Sequence, residues 1–178
     1  MRVLKFLAIA AAAATLAGCL GGGSGTAAAP ELRGTAAIGA PLAGATVTLQ
    51  GANGTPPLVV TAGPDGRFVF PDTSTVTAPA MLRAEGNAGG RSHTLFSVAV
   101  TLPAAGGSAV ANVTPLTHEL LTLALDAEPT LQEPPTAAQL DKLNLALDRL
   151  EEALVAVFAA LGLPANTCLL YTSDAADE

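Results

Sequence analysis

Gly39-Ala40-Pro41-Leu42-Ala43-Gly44-Ala45-Thr46-Val47-Thr48-Leu49-Gln50 is the stretch on which the fold turns. Ala45, Val47 and Leu49 alternate with Thr46, Thr48 and Gln50, the period of two expected of a strand with one buried face. Downstream, Asn53-Gly54 is a hairpin-type turn, and Pro56-Pro57 stand ahead of Leu58-Val59-Val60. Gly63-Pro64-Asp65-Gly66 is a second turn, after which Arg67-Phe68-Val69-Phe70 puts both rings on one face. Residues 81–85 form a further candidate, ended by Gly86-Asn87 and Gly89-Gly90. Residues 94–101 and 109–113 complete a count of about seven strands between Glu31 and Val113. That spacing predicts a seven-stranded antiparallel sandwich.

Three of these pieces together resemble a known module. They are Arg33-Gly34-Thr35, the Gly39 to Leu49 stretch, and Thr61-Ala62-Gly63-Pro64-Asp65-Gly66-Arg67-Phe68-Val69-Phe70. Their signatures, G-x-P-L-A-G-A-x-V and T-x-x-x-D-G-x-F-x-F, resemble those of carboxypeptidase-regulatory-like domains over about forty residues. The resemblance implies an Ig-like, prealbumin-like sandwich over 31–113. It also implies an accessory module with no catalytic residues and no cofactor.

Beyond Val113 the period changes. Thr114 can cap a helix with Pro115 at its first position, and Leu116, Leu120, Leu121 and residues 123–125 supply apolar positions. A polar, Pro-rich connection over 127–135 leads to a capping box from Thr136 to Gln139. Leu140, Leu143, Leu147, Leu150, Leu154, Val157 and Leu161 then recur at spacings of 3, 4, 3, 4, 3 and 4, with Gly162 and Pro164 as the stop. This predicts an antiparallel helix pair over 114–167. The stripe serves either as the core of that helical region, which is preferred, or as a dimerising coiled-coil seam flanked by Glu151 and Glu152. The Asn112-Val113-Thr114-Pro115-Leu116-Thr117 step resembles a junction in bacterial lipoproteins where such a sandwich is followed by helices.

The ends read differently. Arg2 and Lys5 precede the short apolar run 6–14, followed by Leu16-Ala17-Gly18-Cys19. The run is too short to span a bilayer and reads as an export signal over 1–18. The last four residues resemble a bacterial lipobox, which implies that Cys19 is lipidated and becomes the mature N-terminus. Each buried acyl CH₂ contributes about 0.8 kcal/mol to membrane anchoring. Leu20 stands where an Asp would resemble an inner-membrane retention signal, so by resemblance to Gram-negative lipoproteins the expected location is the outer membrane. Residues 19–30, Gly- and Ala-rich, are a flexible tether with a reach of roughly 20 Å. At the other end, residues 168–178 break the preceding pattern and resemble one translated frame of a transposase sequencing adapter. The helical region is accordingly expected to be incomplete, with the natural chain continuing past Thr167.

The sequence has 178 residues, 15 acids against 8 Lys and Arg, and a formal charge of −7. Without the signal and the tail the charge is near −6. Four acids and four bases balance over 31–113, whereas 114–167 holds eight acids against Lys142 and Arg149. With no basic patch to neutralise phosphates, nucleic acid is excluded as a partner. Cys19 is assigned to the lipid and Cys168 to the tail, which leaves no disulfide framework and no cysteine metal site.

Candidate chemistry fails on its own terms. His118-Glu119-Leu120-Leu121-Thr122 begins like a zinc-protease helix, but Thr122 stands where the second His is needed, so no metal site is expected and the motif reads as a polar helix face. Ser92 and His93 are strand neighbours facing opposite ways and cannot act as nucleophile and base. Asp65-Gly66 lacks the alternating Asp or Asn of a calcium loop. No aromatic platform for sugars is expected from Phe68, Phe70, Phe96 and Phe158, three of which read as core. The sequence therefore predicts a non-enzymatic, membrane-anchored lipoprotein. Its sandwich would be a spacer or binding module for a protein or cell-envelope partner, displaying an acidic helical region. The alternative is the accessory N-terminal part of an exported enzyme whose catalytic domain lies beyond residue 167.

Overall fold

The computed structural model describes residues 28–160. Seven strands precede two helices: β1 (Glu31–Thr35), β2 (Thr46–Gly51), β3 (Leu58–Thr61), β4 (Arg67–Phe70), β5 (Ala80–Ala88), β6 (Arg91–Ala99), β7 (Ser108–Val110), α1 (Pro115–Leu125) and α2 (Ala137–Ala160). The chain is mainly β followed by helices. The strands divide into a three-stranded sheet, β4-β1-β7, and a four-stranded sheet, β3-β2-β5-β6.

One buried cluster draws on both sheets. Val47, Leu49, Leu82, Ala84 and Leu95 of the larger sheet meet Leu32, Phe68 and Phe70 of the smaller one, and Leu42 of the loop before β2 joins them. The alternation that marks β2 in the sequence is thus an inward face, with Val47 paired to Ala84 and Leu49 to Leu82 across the ladder. Phe68 and Phe70 share that face because they are two residues apart, and their rings meet edge to face at 5.8 Å and 72°. Between β3 and β4 the Asp65-Gly66 turn holds Gly66 at φ 77°, and Asp65 Oδ1 accepts the Arg67 N–H at 3.1 Å. Gly34 in β1 is a close-approach position, where a Cβ would strike the Ala111 carbonyl and the Phe68 ring.

The expected all-antiparallel pairing fails at β7. It runs parallel to β1, with Leu32 opposite Ala109 and Arg33 opposite Val110. After β6 the chain leaves the larger sheet and re-enters beside the start of β1, where Gly106 N donates to Ala28 O and Glu31 N donates to Gly107 O. A period of two is the same for either direction, so the residues alone do not distinguish them. The β5–β6 hairpin is also longer than its sequence punctuation suggests: Gly86-Asn87 stay within the ladder, opposite His93 and Ser92, and the reversal comes at Gly89-Gly90.

The helices stand on the outer face of the larger sheet. Met81 and Phe96, which point away from the shared core, are covered by Leu121 and by Leu131 of the connection between the helices, with Val98 and Leu125 at the edge. That connection is not a loose linker, since Pro129, Leu131 and Pro135 are buried. α1 starts on a reciprocal box in which Thr114 and Thr117 exchange side-chain-to-backbone bonds, with Pro115 in the first turn. Thr136 and Gln139 do the same for α2. Leu120 and Ala124 pack on Leu143, flanked by Ala146, Leu147 and Leu150. Two of the apolar positions expected to be used in α1, Leu116 and Leu123, are instead exposed at 40% and 68%. A helix resting on one sheet and one neighbour buries only a narrow face.

Within the described residues the α2 stripe is core at Leu143, with Leu147 and Leu150 packed against it, and leaves the core by Val157. α2 has 24 residues against 11 in α1, so its far end extends well past its neighbour. Val155 and Val157 are 47% and 51% exposed. Leu161, Gly162 and Pro164 lie outside the described residues.

Candidate functional site

β6 and β7 are edge strands of different sheets. Between them lies a groove of about 500 Å³, closed on its far side by the two helices. Ser97, Val98, Ala99, Val100 and Thr101 form one wall, residues 108–112 a second, and Thr117, Leu120, Leu143, Asn144 and Leu147 the third. None of the lining residues, all of them among those described, carries a charge. Thr117 is fixed by the cap itself: its Oγ1 accepts the Thr114 N–H at 2.9 Å. Asn112 is fixed likewise, its Oδ1 accepting the Thr35 N–H at 2.9 Å. On either side of β7, Gly107 O accepts from the Glu31 N–H and the Ala111 N–H donates to Arg33 O, both on β1. The alternation of the ladder then turns the main-chain groups of residues 108, 110 and 112 to the other side, toward the groove.

Charge is unevenly placed around this opening. Asp141, Asn144, Asp148 and Glu151 recur at spacings of 3, 4 and 3 and share one exposed flank of α2, with Asn144 in the groove wall. Lys142 and Arg149 lie on the opposite flank, and Lys142 Nζ is 2.6 Å from Asp126 Oδ2 at the end of α1. That pair is exposed and contributes little to stability, but it uses one of the two cations in the helices.

The residues singled out for chemistry fall elsewhere. Ser92 Oγ donates to Asn87 Oδ1 at 2.9 Å across the β5–β6 turn, remote from the groove. Asp65 is occupied in its own turn. Glu119 is exposed, whereas His118 is not on a polar face as the sequence suggests. Its side chain is 15% exposed, stacks on Phe96 at 6.0 Å and 28°, and sets Nε2 3.6 Å from Glu128 Oε1. The helix rotates His118 onto the sheet because Leu121, three residues on, is the residue that covers Met81 and Phe96. Cys19 lies outside the described residues. Among the described residues there is no group of three His, Cys, Asp or Glu side chains placed to hold a metal. Nor is any helix among them long and apolar enough to cross a membrane.

The groove residues were not marked by the sequence. Residues 108–112 carry small and polar side chains in an unremarkable order, and their edge becomes available only through the parallel pairing with β1. The acidic flank was visible as composition, but its position beside Asn144 follows from how α2 is rotated on α1.

No family model matches the chain, and no curated protein does. Among solved structures, a DUF3823 family protein from Parabacteroides merdae is similar to it, with 19% identity and a TM-score of 0.26. The match covers 49% of this chain and 47% of that one, so the chain spans about half of the neighbour's length.

Proposed function

We propose that this protein is a lipid-anchored, exported binding module without catalytic activity of its own. Lipidated Cys19 holds it on a membrane, by resemblance the Gram-negative outer membrane, and a tether lifts a prealbumin-like β-sandwich from the surface. Two sheets enclosing one core, with Leu42 of the Pro-Leu-Ala-Gly segment fully buried in it, support the sandwich reading. The observation that carries the binding role is the uncharged groove between two open strand edges, roofed by the helices. Pockets of this size lined by apolar groups with a few placed polar ones are the usual form of a recognition site. The uncovered apolar end of α2, at Val155 and Val157, favours a second reading: an accessory N-terminal part of an exported enzyme whose further domain covers that helix.

Cell fractionation tests the anchor. Wild-type protein is expected in the membrane fraction and Cys19→Ala in the soluble exported fraction. Cys19→Ala protein that stays with the membrane would overturn lipid anchoring.

A further inference from the structure

We propose that the groove between β6 and β7 docks an extended apolar peptide of another protein, flanked by Lys or Arg, which adds as a strand to the open edge of β7. This deepens the binding-module reading and rests on it.

Main-chain geometry supplies the first half of the case. The groups of residues 108, 110 and 112 face the groove in the two-residue repeat of a strand edge, and β1 holds the other side of β7 in register from Glu31 to Arg33. An added strand needs such an edge for affinity and side-chain pockets for selectivity. Proteins usually blunt exposed edges with Lys, Pro or bulges. β3, the opposite edge of the larger sheet, is preceded by Pro56-Pro57. Ser108-Ala109-Val110 carries no such guard.

The walls and rim supply the second half. Val98, Leu120, Leu143 and Leu147 offer apolar contact, and Ser97 and Thr101 offer hydroxyls. A charged side chain in the middle of the groove would lose water without gaining a partner, so the central residues of the ligand are uncharged. At the rim, Asp141, Asp148 and Glu151 are exposed on the groove-side flank of α2, with both helical cations on the far flank. Cations on either side of the apolar segment complement that flank, and carboxylates are repelled by it. The same rim argues against a second copy of this chain as occupant. Its helical region carries eight acids and two bases, and pairing would bring like charges together.

The test uses the full chain and a fluorescein-labelled Val-Thr-Val-Thr-Val peptide with two lysines at each end, followed by anisotropy. A glutamate-flanked twin is the control. The lysine peptide is expected to bind and the glutamate peptide to bind at least several-fold more weakly, with the difference shrinking as salt rises. Val110→Pro removes an outward N–H and is expected to weaken binding about tenfold, the scale of one main-chain hydrogen bond. Asp148→Lys with Glu151→Lys, both on the surface, is expected to abolish the preference for lysine flanks without altering the thermal melt. No binding of either peptide, equal binding of both, or wild-type affinity in both variants would overturn the proposal. So would a concentration-dependent dimer dissociated by Val110→Pro, which would assign the edge to a second copy. Neutral Nile red separates the two levels of the reading. Dye bound by wild-type protein and lost in Leu143→Asn, with no peptide binding, sinks the peptide alone; no binding of dye or peptide sinks the binding module as well.

Discussion

The strand region and the helical region reach burial by different routes. Over 31–113 the charges balance and Leu32, Leu42, Val47, Leu49, Phe70 and Leu82 are buried at 1% exposure or less. Over 114–160 eight acids face two bases, and among the described helix side chains only Leu121 is buried as deeply. Leu120, Ala124 and Leu143 retain 4–9% exposure, and towards the end of α2 Leu154 is half-buried while Val155 and Val157 are exposed. The strand region closes on its own residues, while the helices are held by a sheet face, Met81 and Phe96, that belongs to the other region. The difference teaches where dependence runs: the helices need the strands more than the strands need the helices. The groove, built from both, exists only while the helices are docked.

Phe70→Ala is the largest expected blow, because Phe70 is 1% exposed in the shared core and packs on Phe68. Urea unfolding of the variant should show a loss of about 3–5 kcal/mol, taking both regions down together. A variant that lost the strands and kept the helices would invert the dependence described above. Phe96→Ala should cost about 3 kcal/mol, the low end for a buried Phe, and act on the other side of the divide. Its ring lies under Leu121, Leu131 and His118, so amides of α1 should lose exchange protection while β2 and β5 keep theirs. Unchanged α1 protection would show that the helices do not depend on this contact.

Smaller effects sharpen the same contrast. Thr114→Ala removes the cap that Thr117 N donates to at 3.2 Å and should cost about 1 kcal/mol, again mainly in the helices. Asp72 lies on the strand side in an exposed turn. Its carboxyl is held below the ordinary carboxylate value by hydrogen bonds from the Ser74 side chain and backbone. A lowered folded pKa means that the contribution is present above the unfolded carboxylate value and fades as pH falls through the folded one. Asp72→Asn should therefore flatten the acid limb of a stability profile slightly and leave neutral pH almost unchanged. An equal loss at all pH values would mean that the charge is not what the turn uses.

The sequence made the strand region legible because its signals are local. Alternation at Val47 and Leu49, the Asp65-Gly66 turn and the paired rings of Phe68 and Phe70 need no distant information to interpret. Both helix starts were legible for the same reason, through Thr114 with Pro115 and Thr136 with Gln139. Direction and partnership were not. Nothing in residues 108–110 distinguishes a parallel neighbour from an antiparallel one, and His118 reads as polar surface until Leu121 is known to lie on Phe96. The leucine stripe identified a buried face but not how far along α2 a partner reaches, since periodicity reports which side is apolar and not what covers it.

Residue-resolved hydrogen exchange on the full chain measures that reach directly. The expected pattern is strong protection in β2 and β5, intermediate protection in α1 and in α2 up to Leu150, and a steep fall from Glu151 onward. Uniform protection along α2 would contradict the picture of a helix docked over half its length, and protection in α1 as low as in the end of α2 would remove the groove's roof.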